Sequence, residues 1–406
     1  MALSRVEVLE MLANGEGSGV EFKRDDIENH RLAKELVAFA NFAGGVVLLG
    51  VEDDGTVSGT QRPDLEEWVA ELCRVKIQPP LIPYFQWFHE FEPGKDVAAV
   101  QVLAGPDNPY ALVHSGRRSF PIRVGSTNRE ASMEELERLF QAAGRISYGL
   151  KPVPGAGLGD LDRRRLENYF GNVLGGAGPA EDSEEEWTRL LVNIEFMVDA
   201  DGRTTPTVDG MLLFGRDPGR YLPQSGIRAL AYTGTTPDYA AQADEDLRGP
   251  LTPLLDNQGE LIEAGSVEQA LAFVARNAAP TARIDEGRRI DRPRFPADVL
   301  RETLVNALVH RDYSITGTDV TLEIFADRLE ITSPGRLPNT VTVDGLRAGA
   351  RYARNQMLVN VMRDLGYVDF RGMGVRTKII PGMLAHNGTE PEFTETESSF
   401  KVCLWG

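Results

Sequence analysis

Two short patterns in this sequence place groups that could act on phosphorus. The first is Glu21-Phe22-Lys23, with Glu16 in the glycine loop before it and Asp53 at the end of a later apolar run. Hard divalent cations such as Mg²⁺ or Mn²⁺ take oxygen ligands, and a neighbouring ammonium can orient or activate a water for attack on phosphate. Glu16, Glu21 and Asp53 are therefore candidate metal ligands and, with Lys23, candidate catalytic residues. Taken alone, the dipeptide spacing equally describes a surface ion pair and a turn residue. The second pattern is Glu302 and Asn306, four apart in Arg301-Glu-Thr-Leu-Val-Asn-Ala-Leu-Val-His310. On a helix both project from one face, so a carboxylate can activate water while an amide oxygen holds a cation. This spacing too is common on ordinary helices.

The elements that must position these groups follow from hydrophobic periodicity. A helix is expected over 4–13, then the loop Gly15-Glu-Gly-Ser-Gly19 and a short strand over 20–23 with Glu21 and Lys23 on one face. Asp26 or Asn29 is placed to cap a helix running to about Phe42, with Leu32, Leu36, Phe39 and Ala40 on its apolar side. Val46-Val-Leu-Leu-Gly-Val51 reads as a buried strand that delivers Asp53 into a turn. Arg117, Arg118, Arg123 and Arg129 gather around an expected hairpin and could hold phosphates, although edge hairpins commonly carry such charges without a ligand. A Pro/Gly-rich stretch at 151–159 reads as a linker, and the acidic run Glu184-Glu-Glu186 reads as a solvated helix face. A second α/β stretch then restarts with a helix over 297–310, strands at about 320–325 and 328–332, a helix near 356–365, the glycine loop Gly372-Met-Gly374 and a strand at 400–404. Three segments result, 1–149, 150–294 and 295–406.

Charge and composition narrow the classes. The 406 residues carry a formal charge of −18, which excludes a non-specific basic coat for DNA and confines any nucleic-acid contact to a local patch. Cys73 and Cys403 stand alone, so neither a disulfide framework nor a structural zinc site is indicated. There is no signal-peptide pattern and no apolar run long enough for a bilayer, so a cytoplasmic protein without a membrane partner is expected. No Gly-x-x-x-x-Gly-Lys-Ser/Thr motif occurs, which excludes a P-loop motor.

Glu16, Val20-Glu-Phe-Lys-Arg24, Ala38-Phe-Ala-Asn-Phe-Ala-Gly-Gly45, Leu49-Gly-Val-Glu-Asp-Asp-Gly55 and Pro121-Ile-Arg-Val-Gly-Ser126 together resemble the Schlafen AlbA-type domain. The resemblance implies RNA cleavage, of tRNA among others, by three carboxylates and a divalent metal, with Glu16, Glu21 and Asp53 on those positions. Bacterial relatives described as DNA-binding or regulatory keep a non-catalytic alternative open. Further on, Arg301 to Tyr313, Asp327-Arg-Leu-Glu-Ile-Thr-Ser-Pro-Gly335, Arg354-Asn355 and Gly372-Met-Gly374 resemble the RecG-C-terminal-like branch of the GHKL ATP-binding fold. That resemblance implies Glu302 as base, Asn306 as magnesium ligand, and Gly372 and Gly374 in a lid over the phosphates. Ser333 stands where the family reads the adenine amino group with Asp, before Gly335. A hydroxyl can accept the same hydrogen bond without the carboxylate's charge. His310 and Arg311 could neutralise phosphate, or His310 could serve as a cation at its helix's C-terminus.

The expected fold is therefore α/β, or α+β across several domains: an N-terminal AlbA-type domain, a mixed middle segment and a C-terminal GHKL-like sandwich. The expected function is a nucleotide-controlled endoribonuclease using Mg²⁺ or Mn²⁺ and ATP, with RNA favoured and DNA open as partner. The alternatives are a non-catalytic, ATP-binding, DNA-binding transcriptional regulator and a GHKL-type ATPase acting on proteins. Phage defence belongs to the same family context, and homo-oligomerisation stays open.

Overall fold

The computed structural model describes every residue except 1–2, 105–106, 144–145, 177, 180–182, 286–287, 338–340, 351–352, 369–372 and 397, and omits the side chains of 134, 142, 281–285 and 288–291 as well. The chain divides into two compact units, Met1–Ile146 and Ser147–Gly406.

In the first unit, helix Arg5–Asn14 starts at Ser4, whose hydroxyl accepts the Glu7 N–H while the Glu7 carboxylate accepts the Ser4 N–H. Strand Val20–Lys23 lies parallel to Gly44–Leu49, and helix Asn29–Ala40 makes the crossover that a parallel pair requires. The sheet continues antiparallel through Lys95–Leu103 to Tyr84–Glu92 at the edge. Both faces are covered, which is why Gly44–Leu49 is a nearly unbroken apolar run. Leu32, Leu36 and Phe39 pack with Val47, Leu49 and Val100 on one side, while Val8 packs with Phe22, Val46, Leu48 and Val97 on the other. Neither Asp26 nor Asn29 caps the crossover helix: Glu28 holds the cap position without a side-chain bond, and Asn29 accepts the Trp68 indole N–H instead.

The expected hairpin is present as Pro121–Val124 paired with Thr127–Glu130. Arg117 and Arg118, however, belong to a separate strand, Arg117–Ser119, which pairs with Ala111–His114.

The second unit joins what the sequence divides at 294/295. Its six-stranded sheet runs Ala243–Leu247, Ile227–Ala231, Val320–Ile324, Arg328–Pro334, Ser399–Trp405, Glu392–Glu395. The middle segment thus supplies two strands of the sheet that carries the last segment, through the parallel pairing of Ile227–Ala231 with Val320–Ile324. Helices Ser266–Asn277 and Ala297–Val309 pack on this sheet and on each other. The expected linker is built in too, since Val153 is buried and its N–H donates to the Pro206 carbonyl. The apolar run at Met211 forms helix Val208–Phe214, buried throughout, and Glu184–Glu186 open helix Glu184–Asn193 on its exposed side. Among the described residues, no helix is long and apolar enough to cross a membrane.

Candidate functional sites

The strand Val20–Lys23, the glycine loop before it and the turn after its parallel neighbour Gly44–Leu49 bring the predicted carboxylates together around Lys23. Its Nζ lies 2.6 Å from Glu21 Oε1, 3.5 Å from Glu16 Oε1 and 3.8 Å from Asp53 Oδ1. Glu16 Oε1 also accepts the Phe22 N–H at 2.9 Å, which fixes the glycine loop against the strand. Burial works against the Lys23 charge, and the Glu21 and Glu16 carboxylates outweigh it, so the ammonium is held above the ordinary lysine value.

Glu21 has a second cation. Arg123, only 3% exposed, places Nη2 2.6 Å from Glu21 Oε2 and Nη1 3.2 Å from Glu35 Oε2, and donates to the Gly17 carbonyl at 2.6 Å. Asn128 also donates to Glu35, and the Arg123 guanidinium sits over the Phe39 ring. Burial and the Glu21 charge raise the Glu35 carboxyl above the usual range.

The oxygen donors are of the type that suits Mg²⁺ or Mn²⁺. As placed, though, they surround an ammonium, Glu21 is committed at both oxygens, and the Asp53 side chain is 87% exposed. Among the described residues, no three His, Cys, Asp or Glu side chains are grouped to hold a metal ion. The carboxylates converge as the sequence led one to expect, but their arrangement fits Lys23 and Arg123 rather than a divalent cation.

The arginine patch is smaller than expected. Arg123 is an internal ion-pair residue, held between Glu21, which it shares with Lys23, and Glu35. Arg129 is exposed but held bidentate by Glu135 at 2.7 Å through both nitrogens, which pulls that carboxyl down to about 2. Arg117 and Arg118 remain on the surface, and neither pairs with a described acid.

In the second unit, a cavity of about 430 Å³ opens against the Ala297–Val309 helix. Glu302, Asn306 and His310 line it from that helix, Ser333 and Gly335 from the end of strand Arg328–Pro334, and Gly374 from beyond it. Apolar side chains such as Ile331, Val359, Ile379 and Val402 complete the wall. A cavity of this size, mostly apolar with a few convergent polar groups, is typical of a small-molecule site.

Glu302 is 3% exposed and ion-paired through Oε2 to Lys378 at 3.2 Å. The Asn306 amide nitrogen faces Glu302 Oε1 at 3.4 Å, which leaves the amide oxygen as the atom available to a cation. Ser333 Oγ donates to the Ala307 carbonyl at 2.7 Å, so toward a ligand it presents lone pairs. Gly374 is required by close approach: a Cβ there would stand 1.8 Å from Glu302 Oε1. Gly335 has φ +107°, and a Cβ would meet Arg354 Nη1 at 2.5 Å; its N–H is already given to the Ser398 carbonyl. It shapes the wall rather than offering an amide to phosphate. Gly372 lies outside the described residues.

Two expected cations are withdrawn. Arg311 is fully buried and donates to the carbonyls of Asp312, Ile315 and Thr318, where it ties down the loop after the helix and does not line the cavity. His310 does line it, but burial and the Arg354 guanidinium push its pKa down to about 4, so it is neutral at pH 7 rather than a helix-end cation. Sequence reasoning did not single out Arg363, which lines the cavity, or Lys378; Lys378 lies 76 residues from Glu302 and carries no local signal.

Residues 16–132 match the family described as "Schlafen, AlbA_2", and residues 317–404 match that described as "Putative ATP-dependent DNA helicase recG C-terminal". The chain joins a Schlafen AlbA_2 domain to a RecG C-terminal-type domain. The AlbA_2 match includes Glu16, Glu21, Lys23, Asp53 and all four arginines; the RecG-type match begins beyond the helix that carries Glu302 and Asn306. No curated protein matches the chain. A crystal structure of a Corynebacterium diphtheriae protein is 22% identical over 99% of this chain and 81% of that one, with a TM-score of 0.44. The N-terminal domain of a RecG-related protein from Nitrosomonas europaea, solved by solution NMR, is 24% identical over 32% of this chain and 95% of that one, with a TM-score of 0.26. The AlbA_2 and RecG-type domains together make this a nucleic-acid-binding, nucleotide-binding architecture.

Proposed function

We propose that the RecG-type unit binds ATP with Mg²⁺ and that this binding controls how the AlbA_2 unit engages nucleic acid. The observation that carries the reading is the cavity on the Ala297–Val309 helix, where a buried carboxylate, an amide oxygen and an acceptor hydroxyl share a mostly apolar wall with Arg336, Arg354 and Arg363. Asn306 would hold the metal of the bound nucleotide, Ser333 would accept from the base's amino group, and Glu302 would orient a water. On the AlbA_2 side, Arg117 and Arg118 would contact phosphate. Calorimetry with a non-hydrolysable ATP analogue and Mg²⁺ tests this. Heat is expected from the wild type and should be strongly reduced in Asn306→Ala; no heat, or heat unchanged in the variant, removes the reading.

A second reading, an endonuclease on structured RNA, draws on the convergence of Glu16, Glu21 and Asp53 within 3.8 Å of Lys23 Nζ, and it needs Lys23 and Arg123 to yield those oxygens before a divalent cation could be held. It requires that tRNA be cut in Mg²⁺ or Mn²⁺ and that Asp53→Asn abolish cutting. Binding that survives Asp53→Asn but is lost in Arg117→Glu/Arg118→Glu, with the RNA intact, favours the non-catalytic form.

A further inference from the structure

In the first unit, His30 near the start of helix Asn29–Ala40 and His114 at the end of strand Ala111–His114 bring their rings to 5.0 Å between centroids. The His30 side chain is 40% exposed and is held by Glu28, whose Oε2 lies 3.2 Å from Nδ1; His114 is exposed. No third ring fits between two rings at that separation, so the outer side of the pair is the surface on offer. Two cations flank it. Lys34 lies one helical turn beyond His30 on the same helix face, and Arg117 stands directly across the hairpin from His114, so both side chains of that pair leave the same face of the ribbon. Lys34 and Arg117 are exposed, and neither pairs with an acid among the described residues. On the other side of His30, Asn29 accepts the indole N–H of Trp68, on helix Leu65–Lys76, at 2.9 Å. The Arg62 guanidinium covers that indole, 4.1 Å from the ring centroid. Rings and planar cations thus follow one another from Arg62 through Trp68 and Asn29 to the histidines and Arg117.

We propose that this strip binds single-stranded nucleic acid: bases stack on the His30–His114 pair and on the guanidinium of the Arg62–Trp68 pair, while Lys34 and Arg117 hold the phosphates beside the histidines. The inference rests on the nucleic-acid reading of the AlbA_2 unit above and adds the form of nucleic acid it takes, through none of the carboxylates around Lys23. A duplex offers mainly its phosphates to such a surface, and with few unpaired cations on a chain of charge −18 it gains little there. Unstacked bases offer π faces, which aromatic rings and guanidinium planes hold whatever the sequence.

The test is fluorescence anisotropy of the full chain, with and without Mg²⁺ and a non-hydrolysable ATP analogue, against a labelled single strand tested as DNA and as RNA, its abasic counterpart and its duplex. The single strand should bind about tenfold or more tightly than the abasic or duplex probe, the scale of one stacked base. His30→Ala/His114→Ala should lower single-strand affinity about tenfold and leave abasic affinity unchanged, whereas His30→Phe/His114→Phe should keep most of it. Arg62→Ala, on the second stack, should give the same selective loss and reads the strip independently of how the histidine variants fold. Lys34→Gln/Arg117→Gln should weaken all three probes and flatten their salt dependence. Equal affinity for the single strand and the abasic probe, or single-strand affinity unchanged in both His30→Ala/His114→Ala and Arg62→Ala, overturns the strip; duplex binding that persists in those variants then leaves the nucleic-acid reading standing. Absence of binding to every probe in both nucleotide conditions overturns that reading as well.

Discussion

Glu21 shows why a residue's type and spacing do not settle its role. Beside Lys23 in sequence it has the form of a metal ligand, yet in the fold it is the shared anion of two cations, one of them the buried Arg123. Removing one partner of a buried pair leaves the other desolvated and unpaired, a cost of about 3–5 kcal/mol. Glu35 still faces Arg123, so Glu21→Ala should destabilise the AlbA_2 unit by about 3 kcal/mol, near the lower end of that range. Asp53→Asn, at an exposed side chain, should change stability by less than about 0.5 kcal/mol. Denaturant unfolding of both variants checks this, and equal small effects would show that Arg123 does not depend on Glu21. Loss of activity in Glu21→Ala would therefore not by itself identify a catalytic carboxylate.

Among the elements, helix Val208–Phe214 carries a further buried carboxyl, which does not line the cavity on the Ala297–Val309 helix. Asp209 is 1% exposed, neither of its oxygens has a hydrogen-bond partner among the described residues, and a Cβ on Gly149 would stand 2.2 Å from Oδ2. Burial, with the Glu195 charge, pushes its pKa up to about 7. The folded value lies above the unfolded one, so the native state holds a proton that the unfolded chain releases between about pH 4 and 7. This group's contribution therefore worsens as pH rises through that window. His310 acts in the opposite sense: its folded pKa of about 4 lies below the ordinary 6.5, so its contribution is lost as pH falls through that interval. The two oppose each other in the wild type, and Asp209→Asn separates them. The variant should exceed the wild type by about 2–4 kcal/mol at pH 8, at about 1.4 kcal/mol per pH unit, with the gain vanishing near pH 4. Denaturant midpoints at three pH values read it directly, and a gain independent of pH would rule out titration of Asp209. The elements themselves were legible in the sequence: the helix at 297–310 and the strands around it fall within one or two residues of their observed bounds, because their apolar periodicity reports burial locally. Arg123 and Lys378 were not legible as ion-pair residues, because each finds its carboxylate some 70 to 100 residues away along the chain, at Glu21 and Glu302. A pairing of that kind leaves no mark on local composition.

For the whole molecule, the net charge of −18 and the reduced arginine patch together set how nucleic acid can be held. If Arg117 and Arg118 are the phosphate contacts, the slope of log K against log salt should be about −1 to −2, from roughly 0.7 to 0.9 per neutralised phosphate. A slope steeper than about −4 in a salt titration would show that other cations form the surface. The six-stranded sheet of the second unit carries a different consequence, one of timing during synthesis. Ser399–Trp405 is an interior strand, seated between Arg328–Pro334 and Glu392–Glu395, and Phe400 and Val402 on it line the cavity on the Ala297–Val309 helix. Ile227–Ala231 must likewise wait for Val320–Ile324 before it has its parallel neighbour. The AlbA_2 unit draws all its sheet pairings from residues before 147, so it can complete its core while the ribosome is still making the rest. The nascent chain therefore passes through an interval in which its AlbA_2 domain is folded and the proposed nucleotide control does not yet exist.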